Sequence, residues 1–485
     1  MKIKYLLFML SIVSCTSSSP YPDITDEASK ELRLSSDDTT LVSMFNWAIW
    51  SSNRFVGADD DPVGPWYESA LPDRAAFCMR DISHQCIGEE INGHRRQNLN
   101  MMTRFVENIS ESKDWCSYWE INKYNLPAPV DYTSDQDFWY NLNANFDVLN
   151  ACYRLFLWTG DKTYIEDPQF DRFHRLTLNE YVEKWQLQVD RIMRRPSIMN
   201  VYPASEGSRF RDKRGIPSYD EGVPGLHVTS DLLAVIYKAF DVYSKILQYR
   251  GNRQLADEYV RKAESYRQLY DSVWWNPATQ TYYYAFVGYD FLNDGGCAMF
   301  IPWYGLIKDP VRLKQLLERL SEKEINIEMR SYYPMSYYRH GMNTHAYHYL
   351  EDLYADKRRD YPEAASGMIE GIVSGLAGVE PDAAENIIRT CPRLTEATPW
   401  VSIENIPAFA GTISVLHVSE QKTSFVIKSG KDVFWRACFR GDHPTIKCDG
   451  KRIDAKKYTD ELENVYSFID IPCKPGVMIT AEVAR

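Results

Sequence analysis

A chain of 485 residues with 44% hydrophobic and 25% charged residues has the composition of a folded protein. Its length exceeds one ordinary core, so a large domain with a smaller companion is expected. The formal net charge of −12 repels phosphate and argues against a nucleic-acid or anionic-membrane surface; a neutral or cationic ligand fits better.

The chain starts MKIKYLLFMLSIVSC: a basic start, an apolar run too short to span a bilayer, then a small residue. That order reads as a secretory signal over residues 1–14. Ile12-Val13-Ser14-Cys15 resembles the bacterial lipobox, which implies lipidation of Cys15, a polar tether over 15–39 and an exported chain anchored at the cell envelope. Lipid is then its expected membrane contact. Without Cys15, nine of the ten cysteines remain, so they cannot all pair within one chain. Cys438, Cys448 and Cys473 leave one bridge open, and no His/Cys cluster has zinc spacing. Neither metal nor cofactor is expected.

From Thr40 the apolar spacing is helical. Helices are expected over 41–55, 137–158 (closed by Gly160), 176–194, 229–249, 256–274, 310–325, 340–353 and 363–376. Paired helices joined by short links bury their stripes only against neighbours. The rhythm therefore predicts a mainly α fold, an (α/α)6 toroid of helical hairpins over residues 40–398. Past Pro399, short β-branched runs separated by Ser429-Gly430, Asp449-Gly450 and Pro475-Gly476 predict a small antiparallel β domain over 399–485.

Three loops concentrate carboxylates beside arginines and aromatics. Leu71–Gln85 holds Asp73, Arg74, Arg80, Asp81 and His84, and charges of that density are costly to bury without use. Tyr202–Gly225 holds Glu206, Asp220 and Glu221. In Arg358–Ser366, Glu363 follows a proline, and the small row Ala364-Ala365-Ser366-Gly367 is read as room for a ligand. Two carboxylates on separate loops are what glycoside hydrolysis needs, one protonated and one ionised. Asp220 or Glu221 suits the acid, while Arg358 and Arg359 would hold Glu363 charged as the base. Trp139, Tyr140, Tyr333, Arg330 and His345 are further candidates for holding sugar.

These residues bring a resemblance into view. The chain resembles the six-hairpin glycosidase superfamily, with an Arg-Asp pair in the first major loop, an acidic loop before a central helix and a late glutamate. In glucoamylase-like members the Arg-Asp pair holds the terminal sugar, which implies that role for Arg80 and Asp81. Asp220-Glu221-Gly222-Val223 is similar to the family's acid loop, and Glu363 corresponds to its late base. The closing β module resembles α-L-rhamnosidase-type architecture, although Pro72-Asp73-Arg74 is followed by Ala75 where that motif has glutamate.

The resemblance implies an exo-acting, inverting glycoside hydrolase acting on an oligosaccharide or polysaccharide. Two other readings are open. One is a non-catalytic glycan-binding lipoprotein, and the other a polysaccharide lyase using Tyr337, Tyr338, Arg339 and His340.

Overall fold

The computed structural model describes residues 20–26, 29–69, 71–196, 209–210, 214–223, 225–293, 295–321 and 325–483. Cys15, Glu206, the signal segment and the first tether residues lie outside them.

Among the described residues, twelve helices make up alternating outer and inner layers. They are α1 (Thr39–Arg54), α2 (Met79–Ile91), α3 (Arg95–Glu107), α4 (Ala144–Thr159), α5 (Pro168–Leu176), α6 (Ser230–Tyr249), α7 (Arg253–Val273), α8 (Phe300–Tyr304), α9 (Pro310–Leu320), α10 (Tyr333–Arg339), α11 (Asn343–Ala355) and α12 (Pro362–Glu370). The even-numbered helices form the inner wall. Helix α2 packs against both α4 and α12, and α4 then packs on α6 and α6 on α8. Shorter helical turns fill the loops. Among the described residues, no helix is long and apolar enough to cross a membrane.

The sequence explains the two kinds of helix. Outer α7 buries Ala256, Tyr259, Ala263, Tyr266 and Tyr270, a stripe at steps of three and four. Inner α2 is buried along its whole length, Arg80, Asp81, His84, Glu89 and Glu90 included. Periodicity fails there because every face is an inside face. Close approach of the inner helices depends on small residues. A Cβ on Gly88 would stand 2.1 Å from the Ser366 carbonyl oxygen, and one on Gly367 would stand 2.4 Å from that of Ser331. The small row 364–367, read from sequence as space for a ligand, instead lets α12 lie against α2.

Element boundaries also differ from expectation. Residues 137–138 and 140–141 are short strands, and α4 starts at Ala144. Asp38, not Thr39-Thr40, caps α1, its carboxylate accepting from Leu41 N at 2.9 Å. The helix expected over 176–194 instead starts at Pro168, passes through a π-helical turn at Thr177–Tyr181 and ends at Lys184.

The β domain starts earlier than Pro399 and takes in the N-terminal segment. Its strands are β1 (Arg33–Ser35), β2 (Glu380–Asp382), β3 (Ile387–Thr390), β4 (Trp400–Ala408), β5 (Gly411–Val418), β6 (Lys422–Gly430), β7 (Val433–Arg440), β8 (Thr445–Cys448), β9 (Lys451–Asp454), β10 (Lys456–Thr459), β11 (Val465–Cys473) and β12 (Ile479–Val483). They form a seven-stranded sheet, β1-β4-β5-β6-β12-β8-β9, and a five-stranded sheet, β2-β3-β7-β11-β10. Phe425 and Trp435 stack between the sheets with centroids 5.2 Å apart.

Strand β1 pairs antiparallel with β4, Leu34 opposite Ile403, so residues 33–35 are sheet rather than tether. β3 runs parallel to β7, a departure from the all-antiparallel expectation. Small sheets also stiffen the loops of the helical domain, so the chain as a whole mixes helix and strand. Cys78, Cys86, Cys116, Cys152, Cys297, Cys391, Cys438, Cys448 and Cys473 are free thiols.

Candidate active site

The inner helices turn their N-termini toward one end of the wall, and the acidic loops meet there. Arg80 and Asp81 open α2, Glu363 sits in the first turn of α12, Glu221 precedes α6, and Glu328 lies in the helical turn Ile327–Arg330 before α10. One guanidinium joins them. Arg80 Nε contacts Asp81 Oδ1 at 2.9 Å, Nη2 contacts Glu328 Oε1 at 2.6 Å and Nη1 lies 3.5 Å from Glu221 Oε1. The same guanidinium lies against Trp119 and Tyr219, 5.7 and 5.9 Å from their ring centres.

One cation cannot balance four neighbouring carboxylates, so some must hold protons. Burial alone would weaken the charge on Arg80, but Glu328, Asp81 and Glu221 outweigh it and push its pKa well up. Glu363 is 0% exposed, and neither carboxyl oxygen has a hydrogen-bond partner among the described residues. Burial first, then Asp81 and Glu328, raise its pKa well above the ordinary carboxylate value. Glu328 is pushed to about 7 by burial, which Asp81 and Glu221 reinforce and Arg80 opposes. Glu221 is raised by burial, with Arg80 and the Asn141 amide pulling the other way.

The Glu221 loop is held from beneath. Tyr219 N donates to Asp231 Oδ2 at 2.9 Å, and Asn143 Nδ2 donates to the same oxygen at 3.2 Å. Asn141 Nδ2 bridges Ser218 O and Glu221 Oε1, both at 2.9 Å. Trp139 Nε1 donates to Asn141 Oδ1 at 3.1 Å, which places this tryptophan at the edge of the cluster. His84 lies underneath, its Nε2 3.1 Å from Tyr304 OH and 3.4 Å from Asp147 Oδ1. Tyr219 and Tyr304 each donate to that Asp147 oxygen at 2.5 Å. Because His84 is enclosed by Tyr219, Phe300 and Tyr332, it supports the floor.

Arg74 stands beside the cluster as a clamp, 2.6 Å from Glu120 Oε2 and 3.1 Å from Asp131 Oδ2. Burial and a hydrogen bond to Asp131 raise Glu120 to about 9. Asp220 takes a different direction from Glu221, with Gly296 N 3.5 Å from its Oδ2.

Other expected sugar contacts lie elsewhere. Tyr140 and Tyr333 are fully buried; Tyr140 donates to Asn145 Oδ1, and Tyr333 packs on Tyr337 and Tyr349. Arg330 pairs with Asp356 at 3.0 Å. Arg359 donates to Tyr354 O and lies over Trp47, and His345 is exposed on α11 beside Tyr337. Arg359 therefore does not hold Glu363 charged, and burial raises the Glu363 pKa instead.

The Tyr-His pairing of a lyase is also missing from the described residues. Tyr337 donates to Leu317 O, Tyr338 is buried, and His340 Nδ1 bonds Ser336 O. Sequence reasoning missed Glu328, Asn141 and Asp231. For Glu328 a signal existed: Asn326 caps its helical turn, accepting from Met329 N at 2.8 Å.

No family model and no curated protein sequence matches the chain. Solved structures do resemble it. An α-L-rhamnosidase from Dictyoglumus thermophilum superposes with a TM-score of 0.60 at 13% identity, covering 93% of this chain and 50% of that one. A GH78 family rhamnosidase of Bacillus sp. GL1 gives 0.55 at 12%, covering 83% and 41%. A putative kojibiose phosphorylase from the human microbiome gives 0.54 at 9%, covering 91% and 63%. This chain thus spans half or less of the two rhamnosidases. The likeness is one of fold: layers of inner and outer helices with a β domain beside them, as in these structures.

Proposed function

We propose that the protein is an exo-acting glycoside hydrolase that removes a terminal sugar from an oligosaccharide or polysaccharide with inversion, on an (α/α)6 toroid. Arg80 and Asp81 hold hydroxyls of the terminal sugar. Glu328 donates the proton to the leaving oxygen, and Glu221 activates water. The observation that carries this is the placing of Glu221 and Glu328, from separate loops, on two different nitrogens of one guanidinium.

Burial raises both carboxyls, and the two differ in how open they are to water. Glu328, at about 7, retains a proton near neutrality. Glu221 is the more open of the two, its side chain 33% exposed against 14%, and can meet water. Glu363 lies buried behind them, while burial, Asp81 and Glu221 keep the Glu328 pKa high. Asp220 takes no part in the proton transfers. The N-terminal signal, with Cys15 lipidated, would place the enzyme at a bacterial envelope.

Aryl α-L-rhamnosides are the first substrates to test, because similar folds include rhamnosidases. Glu328→Gln should retain turnover of a substrate whose leaving group needs no protonation, while losing about 10²–10⁴-fold on an alkyl glycoside. Glu221→Ala should lose both and regain turnover with azide. If Glu328→Gln hydrolysed alkyl glycosides normally, the assignment would fall. Retained configuration in the first product, read by proton NMR, would reject inversion.

A further inference from the structure

A second cavity, of about 730 Å³, opens at the far end of the inner helices, between them and the β domain. Seven residues separate Glu363 from Glu370 on α12 and Asp147 from Arg154 on α4, so its floor lies about 10 Å beyond the catalytic cluster along these helices. Arginines from both domains face it: Arg154, Arg339, Arg389 and Arg393.

Most of the charge there is already paired. Arg154 contacts Glu370 at 2.5 Å, while Arg389 and Arg393 share Glu380 at 3.4 and 3.0 Å. Lys308 faces Glu461 at 3.8 Å, and the Asp460 carboxylate is taken up by Leu462 N and Asn464. Arg339 is different. Its Nη1 donates to Trp303 O at 2.9 Å, and its guanidinium lies 5.7 Å from the Trp303 ring. Among the described residues it makes no ion pair within 4.0 Å. Burial and the like charge of Arg154 lower its pKa, while Glu380, Glu370 and Glu461 oppose them from a distance. Beside it Ser374, 3% exposed, has a hydroxyl without a hydrogen-bond partner, and the Nε of buried Arg393 is likewise unpartnered.

A half-buried guanidinium without a direct ion pair, lining an open cavity with unsatisfied donors, is complementary to a small carboxylate. The planar fork can donate to both carboxylate oxygens at once, and the volume falls within the ~300–1,000 Å³ usual for small-molecule sites. We propose that this cavity binds a sugar acid through its carboxylate, with Arg339 as the ionic anchor and the Ser374 hydroxyl as a donor. Arg339 has no place in the hydrolytic machinery, so the site is independent of the activity proposed above.

Calorimetric titration of the full chain with glucuronate, against glucose and inorganic phosphate at constant ionic strength, tests it. Saturable glucuronate binding without glucose binding is expected. Arg339→Gln should weaken it at least about tenfold while leaving aryl-glycoside hydrolysis unchanged, and Arg339→Lys, which keeps the charge but not the fork, should fall between. Absence of saturable glucuronate binding near 1 mM, tighter binding of phosphate than of glucuronate, or wild-type affinity in Arg339→Gln would each overturn the proposal. Should Arg339→Gln fail to fold by circular dichroism, Ser374→Val takes its place, and unchanged affinity there overturns it equally.

Discussion

Arg80 Nη2 lies 2.6 Å from Glu328 Oε1, within a cluster where acids outnumber cations. The guanidinium therefore sets how the acids titrate. Replacing it with methionine takes from Asp81 and Glu328 their ion-pair partner. Breaking a buried pair in this way costs about 3–5 kcal/mol, readable as a lower denaturant midpoint. The same substitution should move the alkaline limb of kcat/KM to higher pH, because the remaining carboxylates push the Glu328 pKa further up. An unchanged limb would separate Glu328 from the rate.

In the intact protein, Glu328 titrates at about 7 against an ordinary value of 4.5. A general acid must carry its proton, so kcat/KM should fall as pH rises through about 7. Stability follows the same sign. The folded state binds a proton that the unfolded state has lost between pH 4.5 and 7, so Glu328 weakens the fold progressively across that window, by about 3 kcal/mol once both states are ionised. Glu328→Gln should flatten that part of the stability profile, as measured by urea unfolding at successive pH values.

Asp231 offers a test of positioning. It accepts from Tyr219 N, from Asn143 Nδ2 and, at 3.4 Å, from Ser218 Oγ, and so pins the turn that presents Glu221. It is buried, and burial lifts it to about 7 against these hydrogen bonds. Asp231→Ala should lower kcat more than it raises KM, since Arg80 and Asp81 still hold the sugar. Asp231→Asn keeps one acceptor oxygen and should recover part of the loss. Equal effects of the two substitutions on kcat would leave only a general structural role.

How far the sequence announced this site depends on the residue. Arg80, Asp81, Glu221 and Glu363 stood out because their loops crowd charge among aromatics, and the structure brings all four together. Arg330, Arg359 and His345 lie in equally polar sequence yet serve outer helices, because a loop's composition does not reveal toward which end of the wall it folds. Outer helices such as α7 declared themselves by period, whereas α2, buried on every side, showed none. Glu328 was hidden by running the preceding helix on through Ile325, when α9 stops at Leu320.

The small residues on the inner helices carry the last prediction. Gly88 faces the Ser366 carbonyl so closely that an added methyl would stand 2.1 Å from that oxygen, and the obstacle is backbone, which cannot rotate aside. Close by, the Ser366 hydroxyl donates to Glu89, and the Glu89 carboxylate also receives Ser52 Oγ at 2.7 Å and meets His94 Nδ1 at 2.5 Å. Forcing α12 away from α2 disturbs that network and shifts Glu363 relative to Asp81. Gly88→Ala should therefore cost about 1–3 kcal/mol by overpacking and lower kcat/KM although it touches no catalytic group. Gly93→Ala provides the comparison: nothing lies within 4 Å of its added Cβ, and its φ of +91° penalises stability through the backbone alone. A variant at Gly88 with normal stability and activity would show that the two helices can part without consequence; Gly93→Ala should lose stability while keeping its kcat/KM.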